Sequence, residues 1–152
     1  MTVKPKDAAT VILLRNPGGQ AEDGFEVLMV LRSRSSKFVP GFYVFPGGAV
    51  DEDDCSPAME GFCGSRGSLP AHQLLDDPPS PARALGAWVA GIRETFEEAG
   101  LFLAYGRHGA LLSFDGNQTG PFHHYRELLR QGKMSFRNLL QKEGLTLATD
   151  RL

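Results

Sequence analysis

Arg93-Glu94-Thr95-Phe96-Glu97-Glu98-Ala99-Gly100-Leu101 carries three carboxylates within five residues and closes on a glycine. Residues three and four apart share a helix face, so on a helix Glu94 stands beside both Glu97 and Glu98. Ordinary packing does not call for three like charges on one face. A hard divalent cation removes the conflict, because Mg²⁺ and Mn²⁺ seek carboxylate oxygens. A solvated helix end would account for the acids alone, but not for what precedes them. Ser80-Pro81 provides an N-cap and a proline at the first helical position, and Gly100 is placed to end the helix. Over that span Leu85, Trp88, Val89, Ile92, Phe96 and Ala99 fall on one apolar stripe. The opposite side carries Gly86, Ala87, Ala90 and Gly91, then the acids. Each interior glycine costs up to about 1 kcal/mol, so a small face suits close approach of another backbone beside a metal site.

Working back from the helix, residues 8–15 (AATVILLR) read as a buried strand and 25–32 (FEVLMVLR) as the next strand. The second is apolar at nearly every position, which predicts a central place in a sheet. Residues 42–45 (FYVF) predict a short third strand, ended by a tight turn at Pro46-Gly47-Gly48. Residues 51–80 hold acids, serines, glycines, prolines and both cysteines with little periodicity. They predict an ordered surface excursion, an insertion with one turn of helix at Gln73-Leu74-Leu75. Beyond the helix, residues 101–105 predict a strand and 110–114 another. Residues 121–131 and 135–142 predict two helices, stopped by Gly132 and Gly144, and 145–148 the start of a strand. His123 and His124 are adjacent and do not share a helical face, which argues against a paired metal site.

The chain of 152 residues predicts one domain, with 41% hydrophobic and 22% charged residues. A net charge of -2 is nearly neutral, so nothing argues for a broad nucleic-acid or membrane surface, and neither partner is expected. No apolar run reaches the length of a membrane span, and the N-terminus lacks the pattern of a signal peptide. The expected location is cytoplasmic, with Cys55 and Cys63 as free thiols; their spacing with His72 matches no standard zinc site.

Gly48, the acid at Asp54 and the run from Arg93 to Leu101 resemble the Nudix hydrolases, whose box reads G-x5-E-x7-R-E-U-x-E-E-x-G-U, with U aliphatic. Asp54 stands where that pattern has glutamate, Asp51 where an acid is common, and Phe96 is aromatic between the acids. About 38 residues separate Asp54 from Arg93 where the pattern has x7, so the box is split by the insertion. A similar split accompanies a coenzyme A signature in one branch of the family. Here Leu31-Arg32-Ser33 and then Gly41-Phe42-Tyr43-Val44-Phe45-Pro46-Gly47-Gly48 resemble that signature.

The resemblance implies an α/β (α+β) fold: a Nudix-type α/β/α sandwich with a mixed sheet, here short of strands at the C-terminal end. That shortage fits either a fragment of a longer chain or strands supplied by a second copy, a homodimer. The implied activity is metal-dependent hydrolysis of a diphosphate in a nucleotide-type small molecule, coenzyme A or its acyl esters. Nucleotide sugars or oxidised nucleotides are the alternative substrates, and a non-catalytic nucleotide-binding module the alternative role. Glu94, Glu97 and Glu98 are the expected ligands of Mg²⁺ or Mn²⁺. Arg93, Glu94 and Glu97 form the expected catalytic set, with Glu97 an assisting base. Arg93 pairs with Glu97 at i, i+4. Arg32, Arg34, Gly47, Gly48 and Asp51 are the expected substrate contacts, the glycines bringing backbone N–H groups near phosphate.

Overall fold

The computed structural model describes residues 5–18, 24–35, 39–64, 80–113 and 120–152. The helix expected from Ser80 and Gly100 is α2 below, Pro81–Ala99. Ser80 Oγ accepts from the Arg83 N–H at 3.2 Å, and Gly100 takes the left-handed conformation, φ 74°. Both signals act as read, because each satisfies groups the helix leaves unpaired at its ends.

The elements run β1 (Ala8–Thr10), β2 (Leu14–Arg15), β3 (Glu26–Val27), β4 (Val30–Leu31), β5 (Tyr43–Val44), β6 (Gly47–Ala49), α1 (Pro57–Glu60), α2, β7 (Ala104–Tyr105), α3 (Pro121–Arg130), α4 (Phe136–Glu143) and β8 (Thr146–Leu147). A 3₁₀ turn follows at Thr149–Arg151. The ladders are all antiparallel: β1 with β6, β2 with β3, β4 with β5, and β7 with β8. A parallel bridge joins Cys63 to Leu147.

The strand expected over residues 8–15 divides at Val11. Its first part pairs with Gly47–Ala49, its second with Glu26–Val27. The strand expected over 25–32 divides too, pairing first with β2 and then with β5. By pairing it is central, but its apolar run does not mean burial on both sides. Phe25, Val27, Met29 and Leu31 are exposed, whereas Leu28 and Val30 are half-buried. An antiparallel ladder commonly packs only one face, which is why the apolar composition misleads here.

The turn expected at Pro46-Gly47-Gly48 is instead a strand, β6, in register with β1: Thr10 opposite Gly47, Ala9 opposite Gly48. Glycine serves close approach there rather than chain reversal, and neither Gly47 nor Gly48 has a positive φ. A Cβ on Gly47 would collide with the Ala9 carbonyl, and one on Gly48 with the Glu94 carboxylate. The small face of α2 is used the same way. A Cβ on Gly91 would sit 2.9 Å from Val11 Cγ2, and one on Gly86 would strike Cys55 Sγ. The two interior glycines therefore let α2 lie directly against β1, β6 and the start of the insertion.

The other face of α2 makes the core. Leu85, Val89, Ile92 and Phe96 are buried there with Phe102, Leu129 of α3, Leu139 and Leu140 of α4 and Leu147 of β8. Phe96 and Phe102 stack with centroids 4.4 Å apart. Each such side chain contributes roughly 1.5–3 kcal/mol by leaving water. Met59 of α1 belongs to the same core at 1% exposure. The insertion is thus not a surface excursion at its beginning. Residues 51–64 turn, form α1 and tie to β8 through Gly64 N–H and Leu147 O at 3.0 Å. The helical turn expected at Gln73-Leu74-Leu75, and His72, lie outside the described residues. Cys55 and Cys63 are free thiols, and Cys63 donates to Met59 O at 3.3 Å.

The expected strands near 101–105 and 145–148 are β7 and β8, paired to each other. Leu111 adds a bridge to Tyr105. The two expected C-terminal helices are α3 and α4, each followed by a glycine of positive φ, Gly132 and Gly144. No helix among the described residues is long and apolar enough to cross a membrane.

Candidate active site

Arg93 is the centre of the acidic helix end, and it is buried at 8% exposure. Its Nε and Nη2 donate to the two oxygens of Asp54 at 3.0 and 2.9 Å. Nη2 also donates to Ala49 O at 2.9 Å, in the β6 strand. Nη1 donates to Glu94 Oε1 at 2.9 Å and Glu97 Oε1 at 3.3 Å. A guanidinium fork suits this work, because it binds one carboxylate with two parallel bonds and still has donors to spare. Burial opposes the charge, but Asp54, then Glu94 and Glu97, outweigh it and hold Arg93 above its ordinary pKa. The cation joins three segments: the insertion start, β6 and α2.

Asp54 is buried at 3% exposure, and its Oδ2 also accepts from the Asp51 N–H at 2.9 Å. Sequence reasoning placed Asp54 at a glutamate position but left it out of the site. Its position in the box was the available signal. Asp51, expected at the substrate, is exposed and lies 3.5 Å from Arg93 Nη2, at the outer edge of the same network.

Glu94, Glu97 and Glu98 are half-buried and share one cleft of about 500 Å³. Its other walls are Val30, Leu31, Arg32 and Ser33 at the end of β4, and Arg130 of α3. Gly48 lies against the Glu94 carboxylate, and the Gly47 N–H donates to Glu98 Oε2 at 3.2 Å. The expected acids and glycines are thus brought together. Arg32 reaches the cleft, and its buried Nε has no hydrogen-bond partner among the described residues. Arg34 is exposed and is not part of the lining. Burial first, and then repulsion from Glu97 and Glu98, push the Glu94 carboxyl up, while the Arg93 cation pulls it down; the net direction is upward.

Among the described residues no three carboxylate, thiol or imidazole groups converge on one point as a ready-made metal site. The geometry gives the reason. Glu94 and Glu97 each spend one oxygen on Arg93, and Glu98 spends one on Gly47. The donor set still fits a hard divalent cation in chemistry: three carboxylates on one cleft, each with a second oxygen outside those bonds. Sequence reasoning missed Arg126 and Arg130 of α3, which meet this helix end only through tertiary packing, and no local pattern announces them.

A second cavity of similar size is lined by Leu13, Leu28, Leu103 and Leu112 among others. Its walls are mostly apolar, and the carboxylate in its lining, Glu26, is paired with Arg15, so the cluster of acids is found in the other cleft.

A buried arginine that locks an acidic helix end against a diglycine strand defines a Nudix-type α+β domain. The structure resembles the crystal structure of a NUDIX hydrolase from Alicyclobacillus acidocaldarius, with TM-score 0.67 and 27% identity, covering 98% of this chain and 59% of that one. The family model of the NUDT19 Nudix domain matches residues 5–87, and the chain belongs to that family. The match takes in Gly47, Gly48 and Asp54 and stops within α2, ahead of Arg93. The chain is also 31% identical over 121 residues to the acyl-coenzyme A diphosphatase NUDT19 of Gallus gallus, covering 64% of this chain and 32% of the relative. It spans about a third of the length of that curated relative.

Proposed function

We propose that this protein hydrolyses the diphosphate linkage of a nucleotide derivative in the presence of Mg²⁺ or Mn²⁺, with coenzyme A or an acyl-coenzyme A as its substrate. The observation that carries the reading is the Arg93 network, which holds Glu94 and Glu97 on one cleft with Glu98, itself held by the Gly47 N–H. Similarity to a relative named as an acyl-coenzyme A diphosphatase supports the substrate. A cytoplasmic location belongs to the same reading.

A bound divalent cation would neutralise the diphosphate and polarise its phosphorus–oxygen bonds. The chain's own residues supply the rest. Glu94, Glu97 and Glu98 would hold the cation with the oxygens they do not spend on Arg93 and Gly47. Arg93 fixes the rotamers of Glu94 and Glu97, so that these carboxylates are positioned before substrate arrives. Gly48 leaves room for the Glu94 carboxylate and for a phosphate near it. Arg32 offers an N–H that has no partner among the described residues, suited to an anionic phosphate oxygen. Glu97, with one oxygen held at 3.3 Å by Arg93, would also assist as base toward the attacking water.

A substrate panel tests this. Coenzyme A, ADP-ribose and NADH are incubated with the protein and Mg²⁺ or Mn²⁺, and the phosphorylated products are separated. Cleavage of coenzyme A into two phosphomonoester products, stopped by a chelator, is expected. Cleavage of another compound with coenzyme A intact overturns the substrate. No cleavage of any of them by folded protein with metal overturns the activity.

A further inference from the structure

The last turn of α2 is held from outside by an arginine that touches none of its carboxylates. Arg126 of α3 donates from Nε to Glu97 O at 2.8 Å and from Nη2 to Glu98 O at 2.6 Å. It is half-buried, and among the described residues it forms no ion pair. Carbonyls of a final helical turn have no partner within the helix. The Gly100 N–H satisfies Phe96 O, leaving the next two carbonyls to Arg126. Those belong to Glu97 and Glu98, two of the three acids whose side chains line the cleft.

We infer that Arg126 is a positioning residue for the divalent-cation site, acting through the backbone of Glu97 and Glu98. This rests on the metal-dependent reading above. Two consequences follow from the geometry. The two-point grip fixes the Cα positions from which both acids project, so the carboxylates reach the cleft from a defined base. The cation also sits at the negative end of the helix dipole, where three carboxylates already crowd. It lowers that negative potential without occupying a carboxylate oxygen. Arg93 and Arg126 therefore divide the work: Arg93 orients side chains by bonding to them, while Arg126 anchors the main chain and leaves the side chains free to bind metal. Lysine cannot reproduce the grip, since an ammonium is a single point charge without the planar fork.

The test measures Mn²⁺ binding without substrate, by the electron paramagnetic resonance of free Mn²⁺, on the whole chain and on Arg126→Ala and Arg126→Lys. Partners that orient metal ligands typically change affinity by 10–100-fold when removed, so Arg126→Ala is expected to bind Mn²⁺ about 10-fold more weakly. Arg126→Lys should lie between it and the parent. At saturating metal, KM for a cleaved substrate should stay within about twofold, since Arg126 is placed on the backbone and not on the substrate. Parent-like Mn²⁺ affinity in folded Arg126→Ala overturns the inference. If that variant does not fold, Arg126→Lys decides, with parent-like affinity again the overturning result. A parent chain that binds Mn²⁺ but cleaves nothing sinks the hydrolase reading and leaves this inference to the variants. A parent that binds no Mn²⁺ overturns both.

Discussion

Arg93 and Asp54 are 39 positions apart, yet they form a buried two-bond ion pair at 3.0 and 2.9 Å. The insertion that separates the two halves of the box leaves them in contact. Removing the carboxylate would strand a buried guanidinium, which keeps only Glu94, Glu97, Ala49 O and the more distant Asp51. Breaking a buried pair on one side costs 3–5 kcal/mol, and the remaining partners soften it, so Asp54→Ala should cost about 3 kcal/mol. Chemical denaturation measures this directly. A loss below about 1 kcal/mol, the range of a surface pair, would contradict the buried role.

Gly47 and Gly48 make opposite predictions although they are neighbours. A methyl on Gly47 meets the Ala9 carbonyl and Thr10 Cα, which are backbone and cannot step aside. Gly47→Ala should therefore separate β1 from β6 and cost roughly 2 kcal/mol by overpacking. A methyl on Gly48 meets the Glu94 carboxylate, the end of a flexible side chain. Gly48→Ala should fold with a smaller loss while moving Glu94 off Arg93 and lowering hydrolysis at least about 10-fold. Melting curves and rates on the two variants separate the cases. Equal melting midpoints would refute the distinction.

The long helix and its acidic end were legible because their signals are local: a serine cap, a glycine stop and a 3.6-residue stripe. The diglycine strand was misread as a turn because glycine has two uses, and only the packing partner tells them apart. At Gly48 that partner is Glu94, across the fold. The 8–15 strand was misread as buried, whereas Ile12 and Leu14 are exposed, because an apolar run does not say which of its faces will be packed. Residues 51–64 looked like surface because Met59 and Phe62 are the only large apolar side chains in a polar stretch; the burial of Met59 depends on α2 and β8. Arg126 was invisible for the same reason, since its partners are carbonyls, which every sequence has.

Glu98 tests the metal reading with little structural cost. Its Oε2 accepts from the Gly47 N–H at 3.2 Å, and a glutamine oxygen can accept the same bond. Glu98→Gln should leave stability within about 0.5 kcal/mol, as for other isosteric changes near a surface. Loss of the ligand charge should reduce Mg²⁺-dependent hydrolysis about 100-fold, a loss at the upper end of those that follow from disturbing a metal site. Unchanged turnover at limiting Mg²⁺ would remove Glu98 from the ligand set.

Cys63 gives a pH prediction. Burial first, and then the nearby Glu60 carboxylate, push its thiol up to about 11. The folded chain thus holds a proton that the unfolded chain releases near pH 9, the ordinary value. A folded-state pKa above the unfolded one gives stability that is present below pH 9 and lost as pH rises through about 11. Cys63→Ala should flatten the stability curve over that window. Two units of pKa also lower the thiolate fraction about 100-fold at pH 8, so alkylation of Cys63 should be slower than that of a free thiol by about that factor. Peptide mapping after timed alkylation measures it, and modification as fast as an unfolded control would show the thiol to be accessible and unshifted.

Met59 decides whether the first part of the insertion is structural. Its side chain is 1% exposed and packs in the same core as Phe96 and Leu147, while the neighbouring Cys63 and Gly64 bond to α1 and β8. Truncation leaves a cavity that those rigid neighbours cannot fully close. Met59→Ala should therefore cost about 3 kcal/mol, within the range for buried methionine and leucine. Glu52, in the same segment, is the control. Its side chain is 91% exposed and reaches Arg83 only at 3.4 Å. Glu52→Ala should change stability by no more than about 0.5 kcal/mol, as exposed pairs do. A large loss at Met59 with none at Glu52 means that α1 folds with α2 and helps hold Asp54 on Arg93, so part of the split in the box belongs to the core that supports the site. Equal, small effects at both positions would show that α1 does not belong to that core.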